Sequence, residues 1–436
     1  MKPLLVFLVV LTGCPLPSEP PPPRAAEPAA SRLSSPASPE DLDPADDVLH
    51  VALVAAPDDA QGYAYNGQVP GPTLIANVGD TLIVDLTNEL DTATTIHWHG
   101  VHVPWEMDGV PWMMDPVAPG ASTTLTFPLT VAGTFWYHPH FDTEQQVDLG
   151  LYGALVVRDP DQPAVDEVVL VFDDPGELDD THAHGSRLPS EWMVNGLIDP
   201  TLEAESGAPL RGRLVNASNL AYLALEWPGL RVIGGDQGLL SEAAQPARLV
   251  LAPGDRAEVE WSVGFDPITV SATPWTLHGG STLGEQQRLF TIDPVGASTP
   301  PPTVEWAADS ATPTADPGHT DLRYVFQGDG EQWMINGELF PDVTIAEVER
   351  NSDVIIELRN VSPTRHPFHL HGHSFEVLSD GDGPSTVRRI EDTVDVGIRE
   401  VVRLRLVADN PGDWMVHCHL LPHADDGMMT VLRVLP

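Results

Sequence analysis

A threefold repeat constrains the fold of this chain more than any other feature. The dipeptide Asn-Gly opens a similar pattern at Asn66, Asn195 and Asn336, with spacings of 129 and 141 residues. A strand-rich segment follows each dipeptide and ends at another asparagine, at Asn88, Asn216 and Asn360. A period of this length is that of a β-sandwich domain and is far longer than a solenoid unit. The repeat therefore predicts three related sandwiches in succession.

The local sequence pattern predicts an all-β fold class. From about residue 47, short runs of Val, Ile, Leu and Thr alternate with Gly, Pro and Asp, and no long stretch has a helical period. Regularly spaced strands and turns of this kind are typical of sandwiches or barrels. We expect domains at 47–160, 161–298 and 303–436, with a proline-rich joint at residues 300–302.

The N-terminal residues are typical of an exported lipoprotein. Lys2 precedes an apolar run, Leu4 to Leu11, that is too short to span a bilayer as a helix. The following Leu-Thr-Gly-Cys ends at Cys14 and resembles a bacterial lipobox, which implies a signal peptide at 1–14 and a lipid anchor on Cys14. Residues 15–46 are rich in Pro, Ala, Ser and Glu, and predict an extended tether. The expected location is the cell envelope or periplasm.

The charge balance excludes one class of partner. The chain has 64 acidic and 21 basic residues, a net charge of −43, so its surface repels phosphate backbones and no nucleic-acid partner is expected. The same field attracts cations. Salt adaptation or solubility is the alternative reason for the acidity, and Lys2, the only lysine, is compatible with it. Two cysteines rule out a disulfide framework.

Histidine clusters carry the chemistry. Four short motifs, two in the first repeat and two in the third, contain His-x-His pairs. Side chains alternate between the faces of a strand, so each pair shares one face. The resulting eight imidazoles suit a multinuclear metal cluster where the first and third domains meet; they are His97, His99, His138, His140, His369, His371, His417 and His419.

A second site is predicted on the opposite face. Cys418 lies between His417 and His419 and must point away from them. Together with His366, His423 and Met428 it forms two His, one Cys and a weak Met, the ligand set of a blue-copper electron-transfer centre. Zinc would not need eight histidines and a thioether together. A copper nitrite reductase would need one blue site and only a single mononuclear histidine site. The eight paired histidines exceed that requirement.

These four motifs resemble those of the multicopper oxidases, over residues 47–436. The resemblance implies three cupredoxin-like Greek-key domains and four copper ions. It also implies that single electrons leave a reductant at type 1 copper, pass along the Cys-His strand, and reduce O2 to water at a trinuclear cluster. Matched motif by motif, the resemblance implies that the ligands of type 1 copper are His366, Cys418, His423 and Met428, and that those of type 2 copper are His97 and His369. The implied ligands of the type 3 pair are His99, His138, His140, His371, His417 and His419.

Proton delivery is assigned by the same resemblance. Asp108 matches the family position of a carboxylate near the three-copper cluster, and a turn residue before Gly109 is its alternative reading. Many bacterial members have a glutamate directly after the last type 1 histidine, where this chain has Ala424. That route is absent or moved to Asp425. His102 and His373 are interpreted as neighbouring or packed residues, and His182 and His184 as parts of a solvated acidic loop.

Two chemical classes of reductant are compatible with the sequence. Nine methionines without a long Met/His tract favour a laccase-like oxidase of phenols or aromatic amines. The acidic surface favours a metallo-oxidase of Cu(I) or Fe(II) acting in copper tolerance. A third reading is a non-enzymatic envelope structural protein, as in family members that have lost copper ligands. Every ligand is present here, which argues against that reading.

Overall fold

The structure is a computed structural model that describes residues 31–174, 191–273, 275–277, 286–296, 311–328, 332–381 and 383–436. The predicted signal peptide, Cys14, the first half of the tether, the loop with His182 and His184, and the proline-rich joint lie outside these residues. The fold is all-β, as predicted, and the described residues form six sheets in three successive pairs. No helix among the described residues is long and apolar enough to cross a membrane.

The first sandwich consists of two four-stranded sheets, in the orders β2-β1-β4-β6 and β3-β8-β7-β5. A 3-10 helix at Trp105–Met107 and helix α1 at Thr143–Asp148 follow the strands that carry histidines. The strands are β1 Val48–Asp58, β2 Gly62–Tyr65, β3 Gly71–Asn77, β4 Thr81–Asn88, β5 His97–His99, β6 Ser122–Pro128, β7 Gly133–His138 and β8 Gly153–Arg158.

The second sandwich pairs a six-stranded sheet, β10-β9-β12-β17-β14-β15, with a five-stranded sheet, β11-β19-β18-β13-β16. Its strands are β9 Asp166–Asp173, β10 Met193–Val194, β11 Thr201–Glu205, β12 Pro209–Asn216, β13 Leu223–Glu226, β14 Arg231–Gly235, β15 Gly238–Ala244, β16 Leu249–Leu251, β17 Arg256–Ser262, β18 Ile268–Thr273 and β19 Gln287–Val295.

The third sandwich pairs a seven-stranded sheet, β21-β20-β23-β29-β25-β26 with β27 on β25, and a five-stranded sheet, β22-β31-β30-β24-β28. Helix α2 at Leu421–Asp425 joins the last two strands. The strands are β20 Leu322–Gly328, β21 Trp333–Ile335, β22 Ala346–Val348, β23 Ser352–Asn360, β24 His366–Leu370, β25 Phe375–Asp380, β26 Gly383–Pro384, β27 Ile390–Glu391, β28 Thr393–Val396, β29 Val401–Ala408, β30 Gly412–Cys418 and β31 Met429–Val434.

The repeated asparagines do the same work in each sandwich. Asn66, Asn195 and Asn336 have φ of 53°, 51° and 55°, and the glycine after each is also at positive φ, as a two-residue hairpin turn requires. Their side-chain oxygens accept the N–H of Val54, Val171 and Val325. The three repeats thus share the conformation and hydrogen bonding of this turn as well as its Asn-Gly sequence. The exact domain boundaries stay a prediction.

The largest buried apolar cluster spans the first and third sandwiches and includes Trp98, Leu358 and Cys418. The second sandwich has its own cluster around Trp261 and Leu214. One continuous apolar core therefore joins the two sandwiches that carry the histidine motifs.

The predicted tether differs from the structure in its second half. Leu33 is buried in the core of the second sandwich. Its N–H donates to the Thr201 carbonyl at 2.8 Å, and the Thr201 N–H donates to Ser31 at 2.8 Å. Farther on, Gln68 donates to the Ala37 carbonyl at 3.1 Å. Backbone pairing and one buried leucine dock residues 31–46 on the body, although their composition is that of a linker.

Candidate metal centre

Two pairs of antiparallel strands bring the His-x-His motifs together. On β5 and β7, His97 lies opposite His138, and on β24 and β30, His369 lies opposite His417. The second histidine of the last three pairs lies just beyond its strand, and all eight imidazoles are buried. The two rings of each pair lie close together, with centroids 4.8–6.4 Å apart.

The rings of the two sandwiches stack across the seam between them. His97 and His371 have ring centroids 3.8 Å apart, and His99 and His369 have centroids 3.7 Å apart with planes within 9°. His140 meets His417 edge-on at 5.2 Å. Each contact joins the first sandwich to the third, so the histidine motifs come together where these two sandwiches meet.

Four of the eight imidazoles have one nitrogen held by a hydrogen bond and the other without a partner; they are His97, His99, His138 and His369. The Nδ1 atoms of His97, His138, His369 and His417 bond backbone carbonyls at 2.9–3.0 Å. His99 instead uses Nε2, at 2.9 Å from Thr393 Oγ1. The nitrogens without a hydrogen-bond partner are Nε2 of His97, His138, His140 and His369, Nδ1 of His99, and both nitrogens of His419. Nε2 of His371 and His417 lie 3.0 Å apart.

This pattern fits metal ions. Buried polar atoms are almost always bonded, so a group of inward-facing unpaired nitrogens needs a ligand. Burial, followed by the neighbouring imidazoles, lowers the pKa of six rings well below the usual 6.5, which leaves them in the neutral form that binds metals; they are His99, His138, His140, His371, His417 and His419. Nitrogens of His97, His369 and His371 lie within 4.8 Å of one another, as do those of His97, His99 and His138.

The second predicted site also assembles. Nδ1 of His366 and of His423 lie 3.4 Å and 3.8 Å from Cys418 Sγ. Burial raises the pKa of the Cys418 thiol and lowers the pKa of His366 to about 3. A buried thiol becomes a thiolate readily only when a cation offsets the cost, as a metal ion does. The donors of this group fit a soft metal.

Met428 lies in the same apolar cluster as Cys418 and is fully buried, and its carbonyl accepts the Cys418 N–H at 3.2 Å. Met429, the other methionine of the pair, packs with Val110 and Met415 in a separate cluster. The structure therefore places Met428, and not Met429, beside the cysteine.

Asp108 is fully buried among the clustered histidines. Its Oδ2 accepts from His371 Nδ1 at 2.8 Å, its Oδ1 is 3.3 Å from His97 Nδ1, and its backbone carbonyl accepts from the same His97 nitrogen. The Asp108 side chain thus contacts one histidine of the first sandwich and one of the third.

Helix α2 carries His423, and its acidic end meets helix α1. Asp425 Oδ2 accepts the Glu144 N–H at 2.9 Å. Burial and then the charges of Asp425 and Asp426 raise the pKa of Glu144 to about 7. Burial also raises the pKa of Asp425 to about 6. Ala424, the residue directly after His423, is buried.

Two residues at these sites were missed by sequence reasoning. Trp333 stacks on His423 with centroids 4.2 Å apart and meets His366 edge-on at 5.3 Å. Its only sequence signal was the repeated Trp-Met-x-Asn-Gly. Asp392 bonds His369 through its backbone carbonyl at 3.0 Å, and its Oδ1 is 3.1 Å from His99 Nε2. Nothing in the local sequence marks Asp392.

The other described histidines belong to neither group of donors. His373 is buried against Trp414, as a packed residue would be, and His102 is 3.8 Å from Asp409 at a partly exposed position. His50 bonds Asp85 at 2.8 Å.

Comparisons with known proteins agree with this site. Sequence profiles described as multicopper oxidase match residues 51–162 and 312–436. The multicopper oxidase mco of Staphylococcus haemolyticus is 29% identical over 395 residues, covering 85% of this chain and 83% of that protein.

Solved structures agree as well. A multi-copper oxidase from Pseudomonas thermotolerans is 30% identical with a TM-score of 0.76, covering 89% of this chain and 99% of that one. A multicopper oxidase from Campylobacter jejuni, described as a metallo-oxidase, is 26% identical with a TM-score of 0.83, covering 94% and 96%. The chain belongs to the multicopper oxidase family. It is a copper-dependent oxidoreductase that takes electrons from a reductant and passes them to O2.

Proposed function

We propose that this chain couples one-electron oxidation of a small reductant to four-electron reduction of O2 to water. The observation that carries the proposal is strand β30 with its extension. Cys418 points to one group of donors while His417 and His419, its two neighbours, point to the other. Copper ions held at these two groups would supply the redox chemistry, and one peptide segment would connect them.

The donor groups support a division among four copper ions. His366, Cys418, His423 and Met428 would hold type 1 copper, and His97 and His369 would hold type 2. The six others would hold the type 3 pair; they are His99, His138, His140, His371, His417 and His419. The inward-facing unpaired nitrogens of this cluster support the assignment, since each protein ligand must offer a lone pair.

Asp108 would hold His371 and His97 in orientation and move protons to the cluster. O2 reduction to two waters consumes four protons, so an acid close to the buried imidazoles is needed. The bond of 2.8 Å from His371 Nδ1 supports the orienting part of this role.

A laccase-like oxidase of phenols or aromatic amines is the first candidate for substrate. The chain has nine methionines and no Met-rich insertion that would select soft Cu(I).

A metallo-oxidase of Cu(I) or Fe(II), acting in copper tolerance, is the second candidate. One observation favours it: the carboxyl groups of Glu144, Asp425 and Asp426 cluster around the helix that carries His423. The similarity to the Campylobacter jejuni metallo-oxidase points the same way. Steady-state O2 consumption with a phenol, Cu(I) and Fe(II) side by side separates the two candidates.

The experiment that tests the central proposal replaces Cys418. Cys418→Ser should abolish the blue colour and the oxidation of every substrate, while about three coppers per chain stay bound because the eight imidazoles are unchanged. Cys14→Ser, which alters the other cysteine of the chain, is the matched control and should stay blue. A blue Cys418→Ser protein would refute the type 1 assignment.

We also propose that the protein is exported and lipid-anchored through Cys14 in the cell envelope. The short apolar run and the Leu-Thr-Gly-Cys sequence support this proposal. Cys14→Ser should move the oxidase from the membrane fraction to the soluble envelope fraction with unchanged specific activity. Retention in the membrane fraction would argue against the anchor.

A further inference from the structure

We propose that Arg256, from the sandwich that contributes no histidine to the cluster, is a positioning residue for the trinuclear copper site. It acts through Asp392 on His99 and His369. The inference rests on the proposed function, because it concerns the metal ions that those two imidazoles would bind.

The guanidinium of Arg256 is fully buried and forms a two-pronged ion pair with a fully buried carboxylate. Nη1 donates to Asp392 Oδ1 at 2.9 Å, and Nη2 donates to Asp392 Oδ2. Burial alone would raise the pKa of Asp392, but Arg256 and the bonded imidazoles hold it well below its usual value. Such planar pairs fix orientation as well as charge.

The other donors of the same guanidinium reach the first and second sandwiches. Nε donates to the Thr134 carbonyl at 3.1 Å, on the strand that ends at His138. Nη1 also donates to the Gly254 carbonyl at 2.9 Å and lies 3.3 Å from Asp236 Oδ1. One side chain therefore bonds atoms of all three sandwiches.

Asp392 passes this constraint to two imidazoles from different sandwiches. Its Oδ1 lies 3.1 Å from His99 Nε2, and its carbonyl accepts from His369 Nδ1 at 3.0 Å. Thr393 Oγ1 bonds both His99 Nε2 and Asp392 Oδ1 at 2.9 Å. The opposite nitrogen of each ring, Nδ1 of His99 and Nε2 of His369, is buried and has no hydrogen-bond partner. Holding one nitrogen of a ring aims the other.

The packing around Arg256 leaves little room for another arrangement. Gly100 has φ of +84°, and a Cβ there would collide with both Asp392 and Arg256. Gly254 has φ of +88°, and a Cβ there would lie 2.9 Å from the His419 ring. The loop before β17 thus touches the cluster directly, so the second sandwich forms one wall of a site to which its described residues give no ligand.

Substitution of Arg256 should disturb the copper ions bound by His99 and His369 and spare type 1. We expect Arg256→Met to lower type 2 copper affinity 10- to 100-fold, the range typical of lost partners of metal-bound histidines. After dialysis, the variant should have about three coppers per chain, a weakened type 2 electron paramagnetic resonance signal and full blue colour. Arg256→Lys keeps the charge but not the two-pronged geometry, and should show a smaller loss.

Arg213→Met is the matched control. Arg213 is also a buried arginine of the second sandwich, paired with Glu258 at 2.6 Å and Glu167 at 2.7 Å. Its substitution should lower thermal stability without changing copper content or the type 2 signal. Intact blue colour reports that each variant is folded around type 1 copper. If Arg256→Met does not fold, the test compares the copper content and the type 2 signal of Arg256→Lys with those of Arg213→Lys.

A full copper complement with an unchanged type 2 signal in the Arg256 variant would overturn the inference, and so would an equal loss in the Arg213 variant. Failure of the proposed function has another signature, because the unsubstituted protein would then itself lack the blue colour or the type 2 signal.

Discussion

The acid pair between helices α1 and α2 gives a quantitative prediction for Glu144→Gln. The pKa of Glu144 is raised from 4.5 to about 7, first by burial and then by Asp425 and Asp426. A carboxyl with a raised pKa in the folded state stabilises the fold below its unfolded pKa and loses that contribution as pH rises through the folded value. The free energy of unfolding of the native protein should therefore fall between about pH 4.5 and 7. The Glu144→Gln variant should not show this fall.

The magnitude follows from the two pKa values. Their difference of about 2.5, at 1.36 kcal/mol for each tenfold change, sets an upper limit of about 3.4 kcal/mol. Glu144 is only partly buried, so solvent screening reduces this figure to about 1.5 kcal/mol. At pH 5 the same linkage relation leaves about a quarter of the effect.

Thermal unfolding of the copper-loaded protein at pH 5 and pH 8 measures this difference. A gain of about 1.5 kcal/mol corresponds to a rise in Tm of about 2 °C for a body of this size, because the entropy of unfolding is about 2.1 cal/mol/K per residue. Glu89→Gln removes one charge from an exposed position and controls for the net charge of −43. An equal gain in Tm of Glu144→Gln at both pH values, or no gain at pH 8, would refute the burial and charge repulsion assigned to Glu144.

Three further perturbations test other parts of the structure. Met428→Leu should raise the type 1 reduction potential in a redox titration, because a donor that favours Cu(II) is removed; an unchanged or lower potential would reject Met428 as axial ligand. Asp108→Asn should slow O2 reduction 10- to 100-fold in single-turnover reoxidation and leave type 1 reduction fast, so the blue colour bleaches during turnover in air; wild-type turnover with persistent colour would remove Asp108 from the reaction. Leu33→Ala should destabilise the second sandwich by about 2–5 kcal/mol in denaturant unfolding, with turnover at 25 °C unchanged; an unaffected transition would show that the 31–46 segment does not support the fold.

The histidine sites were predictable from sequence because they depend on local geometry. Alternation along a strand was enough to place His417 and His419 on one face and Cys418 on the other. The Asn-Gly turns at Asn66, Asn195 and Asn336 likewise require only the left-handed conformation that asparagine and glycine tolerate. In both cases the residues that determine the structure are neighbours in the chain.

The residues that sequence reasoning missed act over long separations. Arg256 and Asp392 are 136 positions apart, and neither lies in a motif that marks its role. The docking of Leu33 on Thr201 depends on an unoccupied strand edge in a domain far along the chain, which the composition of residues 31–46 does not reveal.

The stacking of His97 on His371 across the seam has a consequence for the timing of biosynthesis. His417 follows His97 by 320 residues, so the ribosome makes half of the cluster long before the other half exists. At about 10 residues per second, about 30 s separate the two events. During that interval the four histidines of the first sandwich lack the four histidines of the third. Any metal ion that they bind then is held in an incomplete site. Correct loading must therefore be a late event that follows closure of the third sandwich onto the first.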